Sequence, residues 1–385
     1  MKLTLLTSAI GLVAAWGALG IPHANPELLS GQHAQVGPVS EPHAERSGDG
    51  ALNYTETSKS AINALNALYD DGQGRWSPAT AWWISGVALQ GVLDYTVKTG
   101  SYEYLEQACY IIDKQKGSLP WWPDGDGLFR ADSTDDTAWW ALALVRMFDI
   151  TGDSWYLDTA KADEKYMYQY WTDNKCGGGL VQSIRYDTYK NAISNQLYTL
   201  LTASLHNSIP GDTEYLAKSK AAWEWLFGSG MFNEDHLFND GLSNDCISNN
   251  QTTWTYNQGV ILGAATELYR ATLNSTYLTV ARGIADAVIA SPSLVHDGIL
   301  VEPCEPTCND DQKTFKGIFA RYLAHLSSAC ENDPYRQFLE DNAKTALKRA
   351  HNTTTGLFDL SWAGPLANGS LGTQASALGL FVALI

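Results

Sequence analysis

The sequence predicts an all-α protein, an (α/α)6 barrel in which six helical hairpins close into a ring. The first observation is that two helical patterns alternate from residue 53 onward, one apolar on nearly every face and one amphipathic. The second is a turn motif that recurs with leucines 52, 59, 62 and 61 residues apart, at Leu105, Leu157, Leu216, Leu278 and Leu339. No strand-rich or parallel α/β pattern competes with this fold class.

The amphipathic segments are expected on the outside of the ring, because each has a single apolar stripe to bury. They start near residues 57, 103, 154, 213, 276 and 334. The mostly apolar segments are expected to line the inside, and they cover residues 79–98, 135–150, 190–206, 255–271, 313–328 and 370–385. The first amphipathic helix should lie beside the last apolar helix and so close the ring.

The inner helices of such a barrel run parallel, so their amino-terminal ends meet at one rim, which we call the mouth. Aromatic and polar side chains alternate at these helix starts. Indole rings can pack against the apolar faces of sugars, and amide and amine groups can hydrogen-bond to sugar hydroxyls. Each such residue alone is equally well explained as a core or capping residue. Together they predict a carbohydrate site, with these substrate-binding residues: Trp82, Trp83, Trp122, Trp139, Trp140, Asn191, Asn195, Tyr256, Asn257, Gln258 and Lys316.

Two adjacent carboxylates, Asp135 and Asp136, begin the second inner helix. One interpretation is structural, because Ser133 and Asp136 have the spacing of a capping box and acidic residues in a first turn suit the helix dipole. The other is catalytic: a carboxylate pair cleaves glycosidic bonds, one residue acting as general acid/base and the other as nucleophile or base. Adjacent helical residues diverge by about 100°, so the spacing alone leaves their separation, and with it the stereochemical outcome, open.

Composition narrows the classes of partner. The chain has 385 residues, of which 45% are hydrophobic and 17% charged, so it can bury a large core. Its formal charge of −17 argues against nucleic acid or an anionic membrane as a partner, since both attract positive surfaces. Histidines and cysteines show no metal-ligand spacing. We expect a monomer with no metal and no cofactor.

The first residues indicate export. Residues 1–20 resemble a signal peptide, with Lys2 before an apolar run and a small-residue cleavage site. Residues 21–52 lack apolar periodicity and are expected to form a flexible leader, which leaves residues 53–385 as the barrel domain. No stop-transfer segment follows, so we expect a secreted protein without a transmembrane segment. Glycosylation acceptors are predicted at Asn53, Asn250, Asn274, Asn352 and Asn368.

Cysteines and loop acids are less informative. Six cysteines allow 15 disulfide pairings, and the sequence does not choose among them. Cys304 and Cys308 are so close together that we expect them to staple a loop. Glu302 and Glu305 lie on the loop before the fifth inner helix and could reach the mouth, because loops often carry functional residues.

Several motifs together resemble glycoside hydrolase family 76, the endo-α-1,6-mannanases. They are residues 135–143 (DDTAWWALA), 176–179 (CGGG), 189–195 (YKNAISN), 254–259 (WTYNQG), 315–319 (FKGIF) and 373–376 (TQAS). The resemblance implies an (α/α)6 barrel that hydrolyses the α-1,6-mannan backbone of fungal walls or glycoproteins with retention of configuration. It also implies that Asp135 is the nucleophile and Asp136 the acid/base. One departure is residues 180–182 (LVQ), where many members of that family are rich in tryptophan.

Two alternatives remain open. A wall-remodelling transglycosidase of the same family would move mannan-linked chains to another sugar instead of to water. A non-catalytic carbohydrate-binding relative would keep the mouth and perform no chemistry, although the intact pair of Asp135 and Asp136 argues against it. Product analysis on unbranched α-1,6-mannan would distinguish all three.

Overall fold

The fold consists of twelve α-helices in the part of the chain that the computed structural model describes, residues 52–77, 82–186 and 189–385. Six inner helices are α2 (Trp82–Thr99), α4 (Thr134–Thr151), α6 (Ala192–Ser208), α8 (Thr255–Thr272), α10 (Phe315–Ser328) and α12 (Leu371–Ala383). Six outer helices are α1 (Tyr54–Asn66), α3 (Leu105–Gln115), α5 (Ser154–Tyr168), α7 (Glu214–Gly228), α9 (Thr276–Ala290) and α11 (Arg336–Arg349). Every inner and outer segment expected from the sequence is present, with bounds that differ by a few residues.

The inner helices form a closed ring. Each inner helix packs against the next, and α12 packs against α2, while α1 lies against α12 as the sequence predicted. The (α/α)6 prediction is therefore confirmed. Two short antiparallel hairpins decorate the loops, β1 (Tyr69–Asp70) with β2 (Arg75–Trp76) and β3 (Val295–His296) with β4 (Ile299–Leu300).

Glycines allow the inner helices to approach each other closely. A Cβ on Gly317 of α10 would lie 2.3 Å from the Cα of Ser376 on α12, and a Cβ on Gly259 of α8 would lie 2.6 Å from the Cα of Phe319 on α10. Any larger residue would push these helices apart. The small residues in the apolar segments thus allow the ring to be tight enough to hold a packed interior.

A charged cluster links three inner helices inside the ring. Asp94 of α2 accepts ion pairs from Arg146 of α4 at 3.0 Å and from Arg321 of α10 at 3.1 Å. Arg321 also donates to the side chain of Gln90 at 3.1 Å. Because one buried carboxylate pairs with the buried Arg321 and the partly exposed Arg146, this cluster ties together three of the helices that carry the mouth.

The predicted signal peptide, residues 1–20, and nearly all of the predicted leader lie outside the described residues. Both therefore remain predictions.

Candidate active site

The start of α4 is held rigidly by the loop that follows α5. The backbone N–H of Thr134 donates to the carbonyl of Gln182 at 2.9 Å, and its hydroxyl donates to the carbonyl of Val181 at 2.8 Å. Ser133 pairs with Ser183 in an isolated antiparallel bridge. The departure at residues 180–182 therefore lies directly beside the two predicted catalytic aspartates, which follow in the first turn of α4.

Ser133 does not form the capping box that the sequence suggested. It occupies the N-cap position, but its side chain makes no capping hydrogen bond. Its hydroxyl instead donates to the Oδ1 of Asp135. A carboxylate is a strong acceptor, so the hydroxyl of Ser133 is oriented to donate its hydrogen bond to Asp135. The capping-box interpretation is wrong, and Ser133 orients Asp135.

The two carboxylates are in different electrostatic environments. Burial raises the pKa of Asp135 from 3.8 to about 6, and hydrogen bonds from Ser133 and from the Gln182 side chain oppose that rise. Burial also raises the pKa of Asp136 well above its ordinary value, and the adjacent charge of Asp135 raises it further. Because the charge of Asp135 acts on Asp136, the two carboxyl groups do not ionise independently, and the pair loses its protons in two steps. The arrangement favours the protonated form more strongly in Asp136 than in Asp135.

A third carboxylate, Asp311, belongs to the same site. It lies just before α10, and its charge raises the pKa of both Asp135 and Asp136. Its Oδ1 accepts a hydrogen bond from the indole nitrogen of Trp83 at 2.8 Å. Sequence reasoning missed Asp311, although it lies two residues before the expected start of an inner helix, where the mouth was predicted.

The predicted tryptophans separate into a buried group and an accessible one. Trp82, Trp139 and Trp140 are 3%, 1% and 0% exposed, so they have almost no surface to offer a sugar. Trp82 stacks on Trp140 with ring centroids 5.2 Å apart, and Trp83 stacks on Trp139 at 5.8 Å. Trp83 and Trp122 are half-buried and retain exposed surface. The buried three form the floor under the mouth.

Most of the predicted polar residues hold loops in place. Asn191 caps α6 by accepting from the N–H of Ser194 at 3.2 Å. The amide of Asn195 pairs with the backbone N–H and carbonyl of Leu180, at 2.7 and 3.1 Å. Gln258 pairs in the same way with Phe238, at 2.8 and 2.9 Å. These side chains, like Asn257, are buried, so the geometry does not support their direct contact with a sugar.

Of two further predicted sugar-binding residues, Lys316 is buried and Tyr256 remains partly exposed. Lys316 is 1% exposed, and its ammonium group donates to Glu305 at 2.6 Å and to the carbonyl of Leu360 at 2.6 Å. It therefore pins two loops and does not reach into the mouth. Tyr256 is half-buried and stacks on Phe315 with centroids 3.7 Å apart. Its hydroxyl is close enough to Asp135 for the charge of that carboxylate to raise the pKa of Tyr256.

Comparison with known protein families identifies the family of this barrel. Residues 53–385 match the model of glycosyl hydrolase family 76. The chain belongs to glycoside hydrolase family 76. The resemblance that the sequence motifs carried is thereby confirmed, and the protein is an enzyme of the glycosidase class.

Fungal relatives and solved structures agree with this assignment. The mannan endo-1,6-alpha-mannosidase DFG5 of Candida albicans is 28% identical over 343 residues, which cover 82% of this chain and 75% of that protein. DCW1 of Saccharomyces cerevisiae, with the same enzyme name, is 29% identical over 342 residues, or 82% of this chain and 74% of that protein. The GH76A alpha-1,6-mannanase of Salegentibacter sp. HEL1_6 superimposes with a TM-score of 0.78 at 24% identity, covering 86% of this chain and 99% of that one.

Arg185 fastens the wall of the family 76 active site. It forms an ion pair with Asp132, and its guanidinium also donates to the carbonyl of Trp121. The same guanidinium lies 4.9 Å from the ring centroid of Trp122. Trp121, whose carbonyl accepts from Arg185, is 40% exposed, so this wall offers a further aromatic surface that the sequence reasoning did not select.

Glu302 and Glu305 have structural roles in the family 76 barrel. Glu302 is 1% exposed and accepts from the backbone N–H of Thr255 at 3.0 Å and from its hydroxyl. Burial raises the pKa of Glu302 to about 8. Glu305 is the carboxylate partner of Lys316. The suggestion that these residues reach the mouth is not supported, because both are engaged in holding the loop.

Disulfides and surface asparagines complete the glycosidase domain. Cys176 pairs with Cys246, and Cys304 pairs with Cys308, which confirms the predicted loop staple. Cys109 and Cys330 are free. The glycosylation acceptors Asn53, Asn250, Asn274 and Asn368 are exposed and Asn352 is partly exposed. Within the described ranges, each helix is too short or too polar to cross a membrane.

Proposed function

We propose that this family 76 enzyme is an endo-acting α-1,6-mannosidase that hydrolyses α-1,6-linked mannan with retention of configuration. The observation that carries the proposal is the pair of Asp135 and Asp136 at the mouth, because their different environments raise their pKa values to different extents. A retaining glycosidase needs both forms at once, an ionised carboxylate as nucleophile and a protonated carboxyl as acid.

The roles follow from the hydrogen bonds around each residue. Asp135 accepts from Ser133 and Gln182, and hydrogen bonds to a carboxylate favour its ionised form. Asp136 experiences the charge of Asp135 and of Asp311, which favours its protonated form. Asp135 is therefore the nucleophile, and Asp136 is the general acid/base.

The reaction proceeds in two balanced steps. Asp136 gives its proton to the glycosidic oxygen while a carboxylate oxygen of Asp135 attacks the anomeric carbon, so the leaving sugar departs as an alcohol and a mannosyl ester forms on Asp135. Asp136, now ionised, removes a proton from water as the water attacks the same carbon. The ester bond breaks, Asp135 regains its negative charge, and two inversions give net retention.

The substrate proposal is supported by the relatives. The two fungal proteins are named mannan endo-1,6-alpha-mannosidases. A variant of the Salegentibacter mannanase, inactive with two consecutive aspartates replaced, was solved with alpha-1,6-mannotetrose. In this chain, Trp83, Trp122 and Tyr256 are accessible rings for the apolar faces of mannose. We include secretion, a monomeric state and glycosylation in the proposal, because exposed acceptor asparagines and disulfides are typical of exported proteins.

Product analysis tests the function. Purified enzyme is incubated with unbranched α-1,6-mannan, with and without an added mannooligosaccharide acceptor, and products are resolved by mass spectrometry. Release of a ladder of shorter mannooligosaccharides supports an endo-hydrolase. Products elongated by the acceptor at the expense of the ladder would indicate the transglycosidase alternative. An intact polymer, with Asp135→Asn as the blank, would indicate a binding protein.

A further inference from the structure

Asp311 links two distant parts of the chain across the mouth. It lies on the loop that leads into α10, and it accepts from Trp83 at the start of α2, 228 residues away in sequence. The bond uses Oδ1, and among the described residues no donor pairs with Oδ2. Asp311 is also exposed, so its second oxygen is accessible to a ligand.

The indole of Trp83 is fixed on two sides. One face stacks on the buried ring of Trp139, with planes 25° apart and centroids separated by 5.8 Å. Its N–H edge is held by Asp311. The face opposite Trp139 is not covered by that stack, and Trp83 is only half-buried. A fixed aromatic face beside a carboxylate oxygen is a combination that suits a sugar ring, which has an apolar face and a rim of hydroxyls.

We propose that Asp311 is a substrate-positioning residue, which locks the Trp83 indole with one carboxylate oxygen and accepts a hydroxyl of the bound mannosyl unit with the other. This inference rests on the proposed α-1,6-mannosidase function. It assigns a subsite formed jointly by the first and fifth hairpins, next to the catalytic pair on the second.

The charge of Asp311 gives it a second effect. Two other titratable groups face the pair: Asp132, which is ion-paired with Arg185, and Tyr256 from α8. The two aspartates also repel each other. The neighbouring Asp310 is neutralised by Lys313 at 2.8 Å. Among the residues that the structure describes, no cation is paired with Asp311, and its negative charge helps Asp136 to keep its proton.

Three variants separate these effects. Asp311→Asn keeps a carbonyl oxygen for the Trp83 N–H but loses the charge, whereas Asp311→Ala loses both. Asp310→Asn is the matched control, an exposed carboxylate on the same loop that does not contact Trp83. We expect Asp311→Ala to raise the KM for α-1,6-mannotetraose about tenfold, because the substitution removes one hydrogen bond to a charged group. Near-UV circular dichroism should report a loosened indole in Asp311→Ala and not in Asp311→Asn.

The pH profile provides a readout that a purely structural residue would not change. Removing the negative charge lowers the pKa of both catalytic aspartates, so both limbs of the profile should move to lower pH by about half a unit in Asp311→Asn. Asp310→Asn should leave the profile, the KM and the spectrum unchanged. If the Asp311 variants match Asp310→Asn in all three measurements, the proposal is overturned.

A binding measurement keeps this inference separate from the proposed function. Calorimetry with α-1,6-mannotetraose is performed on the Asp135→Asn/Asp136→Asn variant, with and without Asp311→Ala. About tenfold weaker binding on loss of Asp311 supports the subsite, and equal or undetectable binding in both proteins refutes it. Absence of mannan cleavage by the unmodified enzyme would refute the proposed function, whatever the calorimetry shows.

Discussion

Asp135→Asn should make the protein inactive and also more stable. Asp135 is 9% exposed in the mouth, and burial holds its pKa at about 6. Asparagine has nearly the same shape and keeps an oxygen that can accept from Ser133, but it carries no charge. The substitution therefore removes a buried negative charge and little else. If Asp135 is the nucleophile, hydrolysis should fall by at least about three orders of magnitude.

The stability gain follows from the raised pKa. A carboxyl whose pKa rises from 3.8 to about 6 on folding destabilises the fold by up to about 3 kcal/mol when it is ionised. The penalty is absent below about pH 4, where the carboxyl is protonated in both states, and it is complete above about pH 6. At pH 7.5 the free energy of unfolding of the variant should therefore be about 3 kcal/mol higher, and its Tm roughly 4 °C higher for a domain of this size.

Differential scanning calorimetry at pH 4 and pH 7.5 measures this difference. The Tm of Asp135→Asn should exceed that of the unmodified protein at pH 7.5, and the two should converge at pH 4. Asp310→Asn is the control, because its exposed carboxylate should give no such pH-dependent gain. A variant that is less stable at pH 7.5, or equally stabilised at both pH values, would refute the electrostatic reasoning. Near-normal hydrolysis would refute the catalytic role.

Four further predictions concern chemistry and architecture. Asp136→Asn should also abolish hydrolysis, measured by release of reducing ends from α-1,6-mannan, while circular dichroism shows an intact fold. Proton NMR of the first product should show the α-anomer, and an initial β-anomer would exclude the covalent mechanism. A chain starting at Leu52 should fold and retain activity, since residues 21–51 show no apolar periodicity; loss of either would show that the leader is part of the domain. Lys316→Met should destabilise the fold by about 3 kcal/mol with little change in KM, because it leaves the partly buried Glu305 carboxylate without its cation; a raised KM at unchanged Tm would instead support sugar contact.

The sequence alone determined the architecture and the place of the paired aspartates. Alternating apolar and amphipathic segments can bury their faces only as an inner and an outer layer, and six repeats close a ring. Once the inner helices are parallel, their starts must share a rim. This reasoning located Asp135 and Asp136 at the mouth without any knowledge of loop conformation, because both lie in the first turn of a helix.

Only the tertiary structure decided which side chains face the mouth. Periodicity is a local signal, and it cannot show which loop will lie over a helix start. Asn195, Gln258 and Lys316 were expected to face a sugar, yet the loops before their helices fold back and take up their hydrogen bonds. In the same way, the partner of Ser133 and the pairing of Cys176 with Cys246 could not be chosen from spacing.

Asp311 is a residue at the mouth that the sequence patterns did not reveal. Its carboxylate comes to Trp83 from a loop 228 residues away, and no pattern in either segment indicates that contact. The ring brings the first and fifth hairpins to a common opening, and only there do an indole edge and a carboxylate meet. The helical repeat thus determined where a site could form, and the loops between the helices decided its lining, since their long-range contacts depend on the closed barrel.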